Sequence, residues 1–499
     1  MALTGVRAAL RKLVGASAVY GLGSVLVRGL SFLLLPVYTR HLSPSEYGIV
    51  ALAVTCTVVL GLVYPLGLRG AVSRTWYDDA TLEERRERVG TLWIAMLLAA
   101  AAMALALDRA GPGLAAALLP DVPFHPYLRL AVWTAFLGVL GIVPLVLLQA
   151  QERPRAYVGL TIGTALVTIA LTVWFVVGGG GAEGYLRGAL FGAAIAVVPF
   201  LVVTFREARP VYRRGVVRPA LAFGLPLVPH AVAAWVLEMS DRAILARFLP
   251  LHDVGVYSLG YQLGAAMGLL TTAFNAAWVP FLFGALKEEG PAAQPRLSRL
   301  VTYFTFVLCF VGLGWALRVG HVRPLLAGAA FQGARHITPW VVGAYVLGGL
   351  YLVPTNLLFW RKRTTVIPLV TLAAGAANVG LNLWLVPRHG AIAAAWATLA
   401  AYAVLLLLTW RSAERVHPFP YEYRRLGLMV TVALALFLAG RLLPFPNPAL
   451  EVAGRVLLWL AFPFGLLVLG ALDRAELAVL ARLLRGGKRA PAEQAGPIH

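Results

Sequence analysis

The sequence predicts an all-α integral membrane protein of about fourteen transmembrane helices, arranged as two pseudo-symmetric six-helix bundles plus two C-terminal helices. Three observations carry that prediction. Of 499 residues, 60% are hydrophobic and only 13% charged, with a mean hydropathy of +0.78. A soluble domain is nearer ~45–50% apolar and ~25% charged, so this chain could not cover a water-facing surface with polar groups. Apolar runs of ~20 residues, the length that crosses a ~30 Å hydrocarbon core, recur along the chain. Between them, Lys and Arg are heavily biased to alternate connections.

The runs give spans at 16–38, 48–68, 90–107, 127–150, 157–178 and 184–205, then 222–248, 254–285, 298–317, 338–359, 365–386 and 390–410, and finally 426–443 and 450–471. The first is preceded by Arg7, Arg11 and Lys12 in the manner of a signal peptide. Arg28 interrupts it and no small-residue cleavage site follows, so an uncleaved first helix is expected. With the N-terminus inside, the inside segments hold roughly thirty Lys and Arg and the outside ones about eleven, a bias that fits N-in, C-in topology. The formal net charge of +21 is therefore read as cytoplasmic loops facing anionic lipid, not as a nucleic-acid footprint. Expected units are 1–218 and 219–418, one six-helix bundle each, then 419–472 for helices 13 and 14. Residues 473–499 form a cytoplasmic tail that begins as an amphipathic helix with Leu477, Leu480 and Leu484.

The bundles look duplicated. Arg40-His41-Leu42-Ser43-Pro44-Ser45-Glu46-Tyr47-Gly48 and Arg247-Phe248-Leu249-Pro250-Leu251-His252-Asp253-Val254-Gly255 both fit Arg-x-Leu-x3-acid-x-Gly. Gln151-Glu152-Arg153-Pro154-Arg155 is echoed by Trp360-Arg361-Lys362-Arg363, and the short loop at Gly184 by that at Gly390. Six helices is an even number, so the repeat is parallel, as in transporters that rock two bundles about a central site.

Charges and amides at membrane depth are costly, about 2.5–3.5 kcal/mol for a charge at the centre. Arg28, mid-way along the first helix, suits an anionic substrate group through its bidentate guanidinium, or a structural ion pair with an acid of the other half. Helix 7 carries Glu238, Asp241 and Arg242; Glu238 and Arg242 are i,i+4 neighbours able to pair. The cluster is either self-neutralising or binds a coupling Na⁺ or H⁺, or closes an outer gate near Arg40. Asn275, Asn356, Asn378 and Asn382 are candidate cavity residues or interhelical hydrogen bonders. Pro226 and Pro229 open helix 7 at a predicted bend. Gly188/Gly192 and Gly260/Gly264/Gly268 predict close helix approach.

No P-loop, HExxH, Cys/His cluster or GxSxG is present, and Cys56 and Cys309 lie alone within apolar spans. No catalytic residue, metal site or cofactor is expected, nor any separate soluble catalytic domain, because the longest polar stretch, near Arg69–Val89, is well short of the ~50 residues one needs.

Leu35-Pro36-Val37-Tyr38-Thr39-Arg40-His41-Leu42, continuing to Glu46-Tyr47-Gly48, with Asp241-Arg242 and then Gly255-Val256-Tyr257, resembles the polysaccharide-transporter branch of the multidrug/oligosaccharidyl-lipid/polysaccharide exporter superfamily. Length, helix count and the six-plus-six-plus-two layout agree with it. The resemblance implies a cell-membrane flippase that moves undecaprenyl-diphosphate-linked oligosaccharide by alternating access, driven by an ion gradient. Polysaccharide polymerase and glycosyltransferases are the partners it implies. A peptidoglycan lipid-precursor flippase or a multidrug exporter of the same superfamily is the alternative. A membrane glycosyltransferase or polymerase is a weaker one, since only Asp108 and Asp121 lie in the first outer loop of any size.

Overall fold

The computed structural model describes residues 26–472, apart from 28 and 79, together with Glu476. Arg28 and the expected tail helix thus lie outside the described residues. The regular structure among them is helical, without strands. The helices are α1 (Leu35–His41), α2 (Pro44–Val63), α3 (Leu68–Trp76), α4 (Leu82–Leu118), α5 (Arg129–Val139), α6 (Ile142–Ala150), α7 (Pro154–Phe175), α8 (Gly181–Glu207) and α9 (Val217–Gly224). They continue as α10 (Leu227–Phe248), α11 (Leu251–Ala265), α12 (Met267–Glu288), α13 (Gln294–Leu326), α14 (Ala334–Trp360), α15 (Val366–His389), α16 (Ala391–Val416), α17 (Tyr423–Leu442) and α18 (Pro448–Val468).

Twelve described segments are long and apolar enough to cross a membrane. One of them, Pro154–Glu207, folds back on itself at Gly179 and Gly181 and supplies two crossings, α7 and α8. The described residues thus supply thirteen crossings, and most of the expected first span, 16–38, lies outside them. Outward-facing Trp174 and Val468, 76% and 86% exposed, have the exposure that lipid-facing side chains need.

Several boundaries moved. The third span, expected at 90–107, is the 37-residue α4. At 1.5 Å per residue it is about 55 Å long and projects beyond any bilayer core. It starts on a capping box, in which the Thr81 side chain accepts from the Glu84 N–H and Glu84 reaches back to the Thr81 N–H. Most of the expected Asp108–Asp121 loop is therefore helix, and Asp108 is taken up by Arg129 (Nε at 2.7 Å, Nη2 at 3.1 Å) and by Trp133 Nε1 at 3.3 Å. Helix 7 breaks at Leu225–Pro226 into α9 and α10, where proline was expected to bend it.

The repeat is visible in the backbone. Leu42 and Leu249 both end a helix in extended conformation, their N–H groups bonded to Tyr38 and Leu245. The next helix begins two residues later in each case. Glu152 and Lys362 both adopt left-handed φ, +53° and +56°, a conformation unusual for non-glycine residues. The following N–H groups, of Arg153 and Arg363, both return to the carbonyls of Leu148 and Leu358 at 2.9 Å. These are matching helix C-caps. In the third pair, Gly390 (φ +70°) matches Gly181 (φ +57°) in conformation, not Gly184, which sits inside α8.

Two compact units result: Met1–Phe281 with Val319–His417, and Leu282–Arg318 with Pro418–His499. Compactness thus divides the chain differently from the expected 219–418 bundle, since most of α13 groups with α17 and α18. Within that smaller unit, Thr302 Oγ1 donates to Glu422 at 2.5 Å, Trp459 Nε1 donates to the Phe310 carbonyl at 2.9 Å, and the Trp459 indole lies over Gly314. Arg425 pairs with Glu422 (3.0 Å) and Glu476 (2.6 Å).

Candidate substrate cavity

The larger unit holds a cavity of about 750 Å³, lined by α1, α2, α7 and α8 of the first repeat and by α10, α11 and α14 of the second. The Arg40 end is shut by a helix crossing. A Cβ on Gly48 would stand 2.3 Å from the Leu251 carbonyl oxygen, and one on Gly255 only 1.8 Å from that of Pro44. These two glycines are the last residues of the two motif copies, so duplication has placed the same glycine on both sides of the contact. Ser43 fixes the start of α2 through a second capping box with Glu46. Just inside, Tyr47 donates to Gln262 Oε1 at 2.7 Å and packs edge-on to Phe331 at 5.6 Å.

The two walls differ in chemistry. On α7, Thr161, Thr164, Thr168 and Thr172 all line the cavity at helical spacing. Each hydroxyl donates back to its own helix, to the carbonyls of Tyr157, Leu160, Thr164 and Ile169 at 2.9 Å. With their protons committed, these oxygens offer lone pairs to the cavity and form an acceptor surface. Tyr38 joins them through a 2.8 Å bond to Thr172 and stacks edge-on to Tyr185 at 5.2 Å. The facing wall is aromatic and charged. Arg242 sits 4.2 Å over the Tyr261 ring, with Tyr345 beyond. The hydroxyls of Ser258 and Tyr261 are buried without a partner among the described residues, and both residues line the cavity. A buried hydroxyl left so costs free energy that a polar occupant returns.

The helix 7 cluster is now resolved. Asp241, 2% exposed, accepts from Arg242 Nη1 at 2.7 Å, from the Arg242 N–H at 2.9 Å and from the Tyr257 hydroxyl. Arg242 Nη1 also donates to the Glu238 main-chain carbonyl at 2.8 Å. Arg242 thus reaches back to Glu238 at i−4 through the main chain and forms an ion pair with Asp241. Glu238 itself lines the cavity and is accessible.

Other expected residues lie elsewhere. Asn356 Nδ2 donates to Asn275 Oδ1 at 2.8 Å, joining α14 to α12. Asn382 Nδ2 donates to the Asn378 carbonyl (2.9 Å) and Oδ1 (3.1 Å), with both residues fully buried between α15 and its neighbours. None of these asparagines lines the cavity. Arg40 is exposed at the closed end, beside Gly328. Conversely, the threonine ladder and the tyrosines escaped the reading of the sequence. Spacings of three and four at positions 161, 164, 168 and 172 were the available signal.

A second chamber of about 770 Å³ shares Thr168 and Ala189 with the first and extends toward Arg69. At that end Gly67 (φ +71°) lies against Gly224, where a Cβ would come within 2.0 Å of the Gly224 oxygen. The expected glycine stripes are also close contacts: Gly188 and Gly192 against Thr172 and Thr168, Gly260 and Gly264 against Ile337 and Val341.

Duplicated helical repeats around a largely apolar chamber that carries a few hydrogen-bonding groups define a multi-pass membrane protein of transporter architecture. Residues 13–285, more than half of the chain, match the family described as polysaccharide biosynthesis protein, and the chain belongs to that family. It is 24% identical over 392 residues to the lipid III flippase of Escherichia coli K12, covering 74% of this chain and 91% of that one. It is 21% identical over 442 residues to a probable low-salt glycan biosynthesis flippase, Agl15, of Haloferax volcanii, covering 88% and 91%. Its fold is that of the lipid II flippase MurJ in an inward closed conformation (TM-score 0.71, 13% identity, 89% of this chain and 97% of that one). An inward-facing multidrug resistance MATE family transporter is more distant in fold (TM-score 0.58, 13% identity, 80% and 95%).

Proposed function

We propose that this protein is a flippase that carries an undecaprenyl-diphosphate-linked oligosaccharide from the cytoplasmic to the outer leaflet by alternating access, for surface polysaccharide synthesis. The observation that carries the reading is the cavity of about 750 Å³, with hydroxyl acceptors on one wall and tyrosine rings on the other. A sugar is a ring of outward O–H donors with apolar C–H faces. The threonine ladder suits the first and Tyr261 and Tyr345 the second. The relatives named as a lipid III flippase and a probable low-salt glycan biosynthesis flippase support such a cargo.

In this mechanism the two repeats rock about the chamber, and the Gly48–Gly255 and Gly67–Gly224 crossings part alternately. Arg28 holds the diphosphate. Glu238, the acid that reaches the chamber, binds the driving H⁺ or Na⁺, while Asp241 and Arg242 keep the helix 7 charges balanced. Asn275, Asn378 and Asn382 serve by fixing helices. Arg40 marks the outer gate. Polymerase and glycosyltransferases act before and after transport, and both termini lie in the cytoplasm.

The test is flipping of a fluorescent undecaprenyl-diphosphate oligosaccharide in reconstituted vesicles. Arg28→Ala should abolish it at unchanged expression, and Glu238→Gln should remove its response to an imposed ion gradient. Flipping that continues at the normal rate in Arg28→Ala rejects the diphosphate role. Equal transport of a glycan-free lipid diphosphate or of a cationic drug rejects the oligosaccharide cargo.

A further inference from the structure

A further concavity, of about 480 Å³, lies apart from both chambers, at the Arg69 end of the larger unit. It is formed by α3, the start of α4, α9 and the linker 208–216 that joins the two repeats. Arg74, Arg88, Arg213 and Arg214 line it, with Asp78 the one lining acid among the described residues.

The linker is built into place. The carbonyl of Arg209 rests on Gly90, where a Cβ would stand 1.6 Å from it. Thr91 Oγ1 donates to the Val211 carbonyl at 2.6 Å and accepts the Arg213 N–H at 3.0 Å. The Arg209 N–H donates to the Arg86 carbonyl at 3.0 Å. The charges are only partly balanced. Arg213 pairs with Glu87 at 2.6 Å and Arg88 with Asp78 at 3.7 Å. Arg74 lies 5.4 Å over the Phe223 ring, and neither it nor Arg214 has a carboxylate partner among the described residues. Gly215, at φ +84°, has open space beyond it and leaves the mouth of the hollow clear. Two guanidinium groups without a carboxylate partner among the described residues, one on α3 and one on the linker, line one hollow and fit an oxyanion that accepts from both.

We propose that this pocket binds a phosphate-ester anion at the membrane surface, the chemistry shared by an anionic phospholipid headgroup and a soluble phosphate. Its occupant bridges α3 to the linker. Those elements lead directly into Gly67 and Gly224, so the bound anion braces that crossing.

The purified full-length protein, in neutral detergent, is titrated with dihexanoyl phosphatidylglycerol, with zwitterionic dihexanoyl phosphatidylcholine and with inorganic phosphate, while its thermal midpoint is read. Phosphatidylglycerol should raise the midpoint saturably and phosphatidylcholine should not. R74Q/R214Q should need about tenfold more phosphatidylglycerol for the same rise, since each lost charge-assisted bond weakens binding several-fold. R74K/R214K, which keeps the charge, should need less than R74Q/R214Q. If R74Q/R214Q does not fold, R214Q alone, altering an exposed side chain, should still weaken the response about threefold. A saturable rise with inorganic phosphate, reduced in the Gln variants, keeps the site and assigns it to a soluble anion. No rise with either anion, or equal rises in wild type and the Gln variants, overturns it.

Discussion

Asp241 holds three donors from a site that is 2% exposed, and two of them come from Arg242. Removing one partner of such a pair strands the other charge, a loss of about 3–5 kcal/mol. Asp241→Ala should therefore lower the thermal midpoint of the purified protein sharply, and Arg242→Gln in the same chain should restore part of it. An unaltered midpoint in Asp241→Ala would refute the structural role. Ser258 is the opposite case, because its buried hydroxyl has no partner among the described residues. Ser258→Ala should leave stability within about 0.5 kcal/mol, or raise it slightly, while slowing flipping. A normal flipping rate would remove Ser258 from the cargo site. His417 titrates outside the spans. Arg361 donates to its Nδ1 at 3.2 Å through Nε, and burial and that cation lower its pKa below the usual 6.5. Folding thus disfavours the protonated ring, so stability is full above 6.5 and falls as pH drops through that value. His417→Gln, which retains an acceptor, should flatten the acid limb of the thermal midpoint against pH. An unchanged limb would acquit this histidine.

At the scale of elements, the crossings decide what can move. Helices α2 and α11 touch through Gly48 and Gly255 so closely that any side chain forces them apart. Gly255→Ala should open the Arg40 end and speed thiol labelling of a cysteine introduced at Gln262, which lines the chamber. Labelling at the wild-type rate would show that this crossing is not the seal. The bend at Leu225–Pro226 lies one residue beyond Gly224, so α9 and α10 can change their angle where the second crossing sits. A hinge beside this seal lets the bundles rock without unfolding their helices.

For the whole molecule, the chamber and the surface pocket belong to different tasks. The chamber is apolar in bulk with a few hydrogen-bonding groups, which suits a sugar passing through. The pocket is lined by four arginines, which fits the anion proposed for it. The charge bias, roughly thirty Lys and Arg on one set of connections against about eleven on the other, predicts the orientation. A cysteine placed at Arg363 should react with an impermeant reagent only from the cytoplasm, and one at Arg388 only from outside. The reverse pattern would invert the topology and with it the direction of transport.

The sequence by itself determined the helical membrane class, the spans and the duplication. Those properties are written locally, in runs of apolar residues, in loop charge and in short turns such as Glu152-Arg153 and Lys362-Arg363 that close the same way wherever they occur. It also marked Gly48 and Gly255 as equivalent, without revealing that they touch. Only the tertiary structure decided which polar side chains meet the chamber: Glu238, Tyr261 and the threonines of α7, while Asn378 and Asn382 turn to each other between helices. A helix in lipid is apolar on its outer face and on its packed face alike, so the pattern that would reveal its rotation is weak. That rotation is set by how glycines let neighbouring backbones approach, and such contacts exist only once the chain has folded.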